Sequence, residues 1–198
     1  MKKEKVKILE KRRGFVMVEM LVAVSLILLV LPNAVSVAIR AITVSSYQKN
    51  QMIATYLAEE GQELVRGIRD SNVLRRLKGD TVDWNSGFIS GVVCSPTACK
   101  IDVLAGTLTA GGGNLEILSS PPDISYRLYT DKNGFYVKDS SGTNSPYTPT
   151  IFYRGVYVTS AGGSHSGDQV LVRSVVVWDT IFGRRKVASS GFLTFWLQ

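Results

Sequence analysis

One acidic residue stands inside an uninterrupted apolar segment near the start of this chain of 198 residues. Residues 16–39 contain no charged side chain other than Glu19, which is the fourth of them. A carboxylate at the centre of a membrane-spanning helix costs about 2.5–3.5 kcal/mol, and such groups usually pair with another polar group. Glu19 therefore needs a partner, and it is the first candidate for a functional residue.

The only two cysteines, Cys94 and Cys99, are the second candidates. They end two short β-type runs, residues 91–94 and 99–103, which we expect to form a tight hairpin around residues 95–98. In an oxidising compartment a disulfide closing so short a loop stabilises a protein by about 2 kcal/mol. Two reduced core cysteines are the alternative. A zinc site is not expected, because the chain has one histidine and zinc takes four ligands.

Other reactive side chains lack the spacing that catalysis or metal binding requires. His165 lies in a Gly- and Ser-rich stretch whose pattern does not match a nucleophile elbow, so we interpret it as a surface histidine. Asp131, Asn133 and Asp139 have the oxygen ligands of a calcium site, but no later glutamate completes it, and turn formation explains them. We expect neither an enzyme nor a cofactor.

The apolar segment is long enough to cross a bilayer, which takes about 20 helical residues. Seven Lys and Arg residues precede it, against Glu4 and Glu10. By the positive-inside rule residues 1–14 stay in the cytoplasm and the remainder is exported. We expect a single-pass membrane protein with an exported head, because residues 34–36 are a poor signal-peptidase site.

A basic leader, a small residue and an acid at the fifth position after it are combined in Lys11-Arg12-Arg13-Gly14-Phe15-Val16-Met17-Val18-Glu19. This stretch resembles the class III leader of type IV prepilins and pseudopilins. The resemblance implies that prepilin peptidase cuts between Gly14 and Phe15 and methylates the new amine of Phe15. It also implies that Glu19 is an assembly residue that pairs with a neighbouring subunit's N-terminal amine. A plain signal-anchor helix, with its glutamate reaching the headgroups, is the alternative.

Most of the positive charge belongs to this leader. The formal net charge is +7, but residues 15–198 hold 16 basic and 14 acidic residues. An interpretation as a nucleic-acid-binding protein, based on total charge, therefore loses most of its support.

Residues 40–78 are predicted to continue the helix outside the membrane as a spine, and residues 56–70 resemble the spine helix of prepilin-type proteins. The apolar or small residues at three- and four-residue steps predict one buried face; they are Ala54, Ala58, Gly61, Val65 and Ile68. The charged residues beside them are predicted to form a solvated face with exposed ion pairs; they are Glu59, Glu60, Glu63, Arg66 and Arg69. We expect a kink at Pro32 and fraying across residues 71–79.

Residues 79–198 are predicted to form a β-rich head. Its strongest strands are 151–159, 169–180 and 186–196, which we expect to form the centre of the sheet. The closing run 192–196, which follows residues 176–178 by a turn through Gly183-Arg184-Arg185, resembles the final hairpin of minor pilins and pseudopilins. One face of strand 169–180 is expected to lie on the spine helix. A second hairpin turns at Asn133-Gly134, and residues 104–114 are predicted to be a loop. The fold class is α+β: a long N-terminal helix, transmembrane in its first half, packed against an antiparallel β-sheet head, as in type IV pilins.

The resemblance predicts a structural subunit, a minor pilin or pseudopilin, of a type IV pilus-like filament. Its partners would be prepilin peptidase, other pilin subunits and the cytoplasmic membrane. The filament could be a pilus, a secretion pseudopilus or a DNA-uptake fibre. The alternative is a membrane-anchored module that never polymerises and binds DNA or a surface.

Overall fold

The structure is a computed structural model that describes residues 2–89, 94–95, 97–102, 107–111, 115, 122–138, 147–160, 169–180 and 183–195. For residues 2–15, 102 and 110 it describes the backbone alone. The chain divides into two compact units, residues 1–49 and 50–198, and each is described by itself.

A single helix, α1, extends over Lys2–Leu77 and remains helical across Pro32. It begins inside the leader, and it continues through residues 71–77, where fraying was predicted. The last turns are anchored because Val73 is fully buried and Asn72 Nδ2 donates to the carbonyl oxygens of Trp84 and Ser86 at 3.3 and 2.7 Å. The prediction of fraying was therefore wrong.

The helix ends in a Schellman motif. Gly79 has a φ of 101°, its N–H donates to the Arg76 carbonyl, and the Asp80 N–H donates to the Arg75 carbonyl. Glycine adopts this left-handed conformation without a steric penalty, which explains why the helix stops here.

The described residues of the second unit form a short 3₁₀ helix, Ile124–Tyr126, and one antiparallel sheet of seven strands. The strands are β1 Cys99–Asp102, β2 Thr107–Ala110, β3 Arg127–Thr130, β4 Tyr136–Lys138, β5 Thr148–Ser160, β6 Gln169–Thr180 and β7 Gly183–Thr194. The described pairs run in the order β2-β1-β5-β3-β4, with β6 between β5 and β7. The α+β fold class with an antiparallel head is confirmed.

The helix residues from 50 onward pack on this sheet through the predicted stripe. Ala54, Ala58 and Val65 are fully buried, and a Cβ built at Gly61 would lie 3.1 Å from the Ser174 Cβ. On β6 the alternate residues Val170, Val172, Ser174, Val176 and Trp178 are all buried, since this face meets the helix. On the opposite face Val175 and Val177 pack in a separate core cluster, with Ala98, Leu115 and Tyr126. The expectation for β6 is confirmed.

Three expectations about the strands were wrong. Strand β1 forms its hairpin with β2, with Cys99 opposite Ala110, so a strand occupies part of the predicted loop 104–114. Residues 91–93, in the other arm of the predicted hairpin, lie outside the described residues. Arg184 and Arg185 pair with Asp179 and Trp178 inside the β6–β7 ladder and do not form its turn. Of the three strong strands, β7 pairs only with β6 among the described residues, so it is an edge strand.

Cys94 and Cys99 form the expected disulfide. Both lie in the core at 2% exposure or less, in the cluster that includes Val65 and Val156. The Cys94 carbonyl accepts the Val158 N–H, and this hydrogen bond joins the segment before β1 to β5. The disulfide joins the same segment to β1.

We expect the double substitution Cys94→Ser, Cys99→Ser to destabilise the head by about 2 kcal/mol through lost loop closure. Denaturant unfolding of the two proteins measures the difference. Because both sulfurs are buried, native protein should also resist labelling by a thiol reagent added with a reductant, until denaturant is present. Two thiols that label freely without reductant would contradict this prediction.

Candidate functional site: the apolar helix and its acidic residue

The first unit exposes an apolar helical surface on all sides. Every side chain from residue 16 to residue 42 is exposed, including Leu21, Leu28 and Leu31 at 67, 65 and 59%. The helix over Val16–Leu77 is long and apolar enough to cross a membrane, with a mean hydropathy of 2.4 in its most apolar window. Contiguous apolar surface of this extent is typical of segments that contact lipid or other protein. The segment is therefore compatible with a single membrane anchor.

The polar side chains within this segment bond to their own helix. The hydroxyls of Ser25 and Ser36 and the Asn33 amide each donate to the carbonyl four residues earlier, at 2.7–2.9 Å. Thr43 does the same at 3.0 Å. Since an unsatisfied polar group in hydrocarbon costs several kcal/mol, these bonds fit the segment to a lipid or apolar protein environment.

Glu19 has no charge complement on its own helix turns. Residues three and four positions away, which are its neighbours on an α-helix, are Phe15, Val16, Val22 and Ala23. The Glu19 side chain is exposed. A carboxylate surrounded by apolar side chains on an exposed apolar helix has to obtain its partner from a headgroup, from the chain terminus or from another molecule.

Gly14 and Phe15 lie in the helical backbone of α1, within the range for which side chains are not described. The peptide bond between them follows the basic leader directly. Cleavage there, methylation of Phe15 and pairing of Glu19 remain predictions.

The second unit contains an ion pair that the sequence analysis missed. Arg154 lies on the helix-facing side of β5, and its side chain has no exposed surface. Its Nη1 bonds the Glu60 carboxylate and, at 3.3 Å, the Leu57 carbonyl, so β5 binds α1 through a buried charge. The prediction that Glu60 belongs to a solvated face was wrong. The overlooked signal was an arginine on the inward side of an alternating strand, between Phe152 and Val156.

Glu63 and Arg66 behave as surface groups. They pair with each other, with side chains 59 and 40% exposed, and an exposed pair of this kind contributes about 0–1 kcal/mol. Arg69 differs, because its side chain is only 13% exposed where it pairs with its neighbour Asp70, so its predicted place on a solvated face was wrong.

The residues considered for calcium form a turn. Asp131 Oδ1 accepts the N–H groups of Asn133 and Phe135 at 2.9 and 2.8 Å, and Gly134 has a φ of 85°. This is the local bonding expected of an Asx turn, and it supports the turn interpretation. Asp139 and His165 lie outside the described residues. Within the described part of the chain, no group of three His, Cys, Asp or Glu residues could hold a metal ion.

Comparisons of this chain with protein-family models, with curated proteins and with solved structures each found no match.

Proposed function

We propose that this chain is a structural subunit of a type IV pilus-like filament, in the manner of a minor pilin or pseudopilin. The observation that carries the proposal is an exposed apolar helix interrupted by a single charge, Glu19, which is the fifth residue after the predicted cleavage site. In a membrane anchor alone, the Glu19 carboxylate has no role. In a subunit that leaves the bilayer to enter a helical bundle, it can pair with a neighbouring subunit.

The proposed mechanism exchanges lipid contacts for contacts between helices. Prepilin peptidase removes residues 1–14, and the methylated amine of Phe15 becomes the N-terminus. In the assembled bundle the carboxylate of Glu19 pairs with the terminal amine of a neighbouring subunit, because neither charge is stable alone in a medium of low dielectric constant. The β-sheet head supplies the outer surface of the filament, with the disulfide stabilising it after export.

Processing gives the first test. We expect the mature protein extracted from membranes to begin at methylated Phe15, because the residue before the cut is a glycine that leaves the peptidase room. Gly14→Val should leave the leader attached. Mass spectrometry of the intact protein measures both outcomes, and a cut near Ser36 or an unprocessed leader in a cell making filaments would refute the assignment.

Glu19 gives the decisive test. In a subunit, Glu19→Leu leaves a neighbour's amine uncompensated, a loss of about 3–5 kcal/mol for a buried pair. Incorporation into sheared filaments should fall at least tenfold, which corresponds to about 1.4 kcal/mol, while the protein still accumulates in the membrane. Quantitative immunoblots of sheared and membrane fractions give the ratio.

Glu19→Asp is the matched control, because it keeps the charge and shortens its reach. In a non-polymerising anchor, Glu19→Leu removes a costly group from hydrocarbon and should leave membrane insertion unchanged or improved. Equal incorporation of all three proteins, or absence of the wild type from filaments, would favour the membrane-anchored binding module.

A further inference from the structure

The second unit has an open groove at the border between α1 and the sheet. It has a volume of about 610 Å³ and lies between α1, the loop at Ser86 and Gly87, and the start of the edge strand β2. Apolar groups come from Leu64, Ile68 and Leu108, and a carboxylate and a guanidinium from Glu63 and Arg75. We call this the α1–β2 groove. Its volume is within the range of about 300–1,000 Å³ that is typical of binding sites.

Two atom positions in the groove, the Cβ position of Gly67 and the Oδ1 atom of Asn72, have no partner inside the described chain. Gly67 is exposed in the helix interior, and no atom of the described residues lies within 4 Å of where its Cβ would be. Glycine there costs about 0.5–1 kcal/mol relative to alanine. The second position belongs to Asn72, which lines the groove at 7% exposure. Its Nδ2 is held by two carbonyls, so the orientation of its amide is fixed, and among the described residues no donor reaches Oδ1.

A hydrogen-bonded turn elsewhere in the same unit carries an exposed aromatic ring and polar side chains that can serve as a partner for the groove. The turn between β3 and β4, residues 131–135, presents Phe135 at 67% exposure. Its backbone is fixed because the Asp131 N–H donates to the Phe135 carbonyl, the Gly134 N–H donates to the Asp131 carbonyl, and the Asp131 carboxylate accepts two more N–H groups. Because the backbone of the turn is already fixed, binding of the Phe135 ring costs little further conformational entropy.

The turn also carries a positive charge and a hydrogen-bond donor for acceptors of the groove. Lys132, three residues before Phe135, is exposed and can meet Glu63, whose present partner Arg66 belongs to a weak surface pair. Asn133 has a side-chain amide with two N–H groups, of which Asp131 Oδ2 accepts one at 3.2 Å. The other is free to reach an acceptor such as Asn72 Oδ1.

The turn and the groove lie at different levels along α1. Tyr136, next to Phe135, packs in the cluster of Ala54 and Leu57, whereas the groove follows the helix from Glu63 to Arg75. A separation of about fifteen helical residues corresponds to roughly 22 Å along the axis. A patch and a complementary pocket at separate places on one molecule give a heterologous contact, which extends into a filament when it does not close.

We infer that the 131–135 turn of one copy of this chain docks in the α1–β2 groove of a second copy, with Phe135 entering the groove at Gly67. The inference rests on the proposed function, since a filament is the setting in which identical copies meet head to tail. It deepens that function by naming a contact between heads that is separate from Glu19.

Photo-crosslinking of the full-length chain tests this contact without requiring a filament. p-Benzoylphenylalanine replaces Phe135. Equal amounts of ¹⁵N-labelled and unlabelled protein are mixed at high concentration in dodecylmaltoside micelles, where copies in different micelles are free to shift along the helix axis, and are irradiated. We expect mixed-isotope crosslinks from position 135 to the peptides that contain residues 63–75 or 107–108. The same label in place of Tyr56, which is 63% exposed on α1, is the matched control and should not give them.

A second arm closes the groove. Gly67→Phe places a ring in open space, so the head should keep its unfolding midpoint while the crosslinked fraction falls about tenfold, as expected when an aromatic anchor is excluded. Glu59→Phe adds the same ring at an exposed helix position outside the groove and should change nothing. Crosslinks from position 135 to other surfaces, crosslinks only within one copy, none at all, or equal effects of the two Phe variants would overturn the contact. Loss of filament incorporation by Glu19→Leu together with any of these results would leave the proposed function standing and remove only the inference.

Discussion

Glu60→Gln should destabilise the head by about 3 kcal/mol, the lower end of what breaking a buried ion pair costs, because Glu60 is itself partly exposed. The Arg154 side chain has no exposed surface and Glu60 is its only described carboxylate partner. Without that carboxylate the guanidinium retains the Leu57 carbonyl, while its Nε and Nη2 atoms already lack partners among the described residues. Guanidinium-induced unfolding of the full-length protein in detergent, followed by the fluorescence of the buried Trp178 and Trp84, measures the change.

The neighbouring residue provides a matched control. Glu59 is exposed on the same helix turn, so Glu59→Gln should stay within about 0.5 kcal/mol of wild type. A midpoint shift equal to that of Glu60→Gln would mean that the Arg154 charge is not held by Glu60. Replacing Arg154 with methionine in the Glu60→Gln background should recover stability, because an apolar pair avoids the desolvation that a lone buried charge suffers.

The sign of the pKa shift agrees with this expectation. Burial lowers the pKa of the Arg154 guanidinium and the Glu60 carboxylate opposes that shift. A lowered pKa in the folded state means that folding disfavours the charged form, so the Arg154 charge reduces stability at every pH below its pKa. Without the Glu60 carboxylate nothing opposes the effect of burial, so the pKa of the Arg154 guanidinium falls further.

The elements that the sequence predicted correctly are those with a local period. The stripe from Ala54 to Val65 and the alternation along β6 each repeat every few residues, and burial followed both repeats. The Asn-Gly turn was recognised for the same reason, because a positive φ is a requirement of one residue.

The elements that were missed depend on residues far apart in the chain. Glu60 and Arg154 are 94 positions apart, and no period in either segment predicts that they meet. Strand β2 lies in a stretch rich in Gly and Thr, and it forms a strand because β1 offers it a hydrogen-bonding edge, which is a property of β1. Glu19 belongs to neither group. Its type and position are given by the sequence, and the partner that we propose for it belongs to another molecule.

Two glycines six residues apart on α1 should respond in opposite directions to alanine. A Cβ at Gly61 would overlap the Ser174 hydroxyl and lie 3.2 Å from Arg154 Cδ, so Gly61→Ala has to push the helix away from β6. Overpacking of this kind costs about 1–3 kcal/mol, and occasionally more, while alanine regains up to about 1 kcal/mol of helix propensity. Both clashing groups are buried, so we expect an overpacking cost at the upper end of that range. The head should therefore lose about 2 kcal/mol of stability overall.

Gly67 is the internal control, because no atom of the described residues lies within 4 Å of its Cβ position and only helix propensity is left to act. Gly67→Ala should therefore stabilise the head by about 0.5–1 kcal/mol. The clash at Gly61 can also be relieved from the other side. Ser174 Oγ is buried without a hydrogen-bond partner among the described residues, so Ser174→Ala should be nearly neutral alone and should recover a large part of the loss in Gly61→Ala. If both glycine variants gain stability alike, or if Ser174→Ala recovers nothing, the helix does not approach β6 as closely as Gly61 permits.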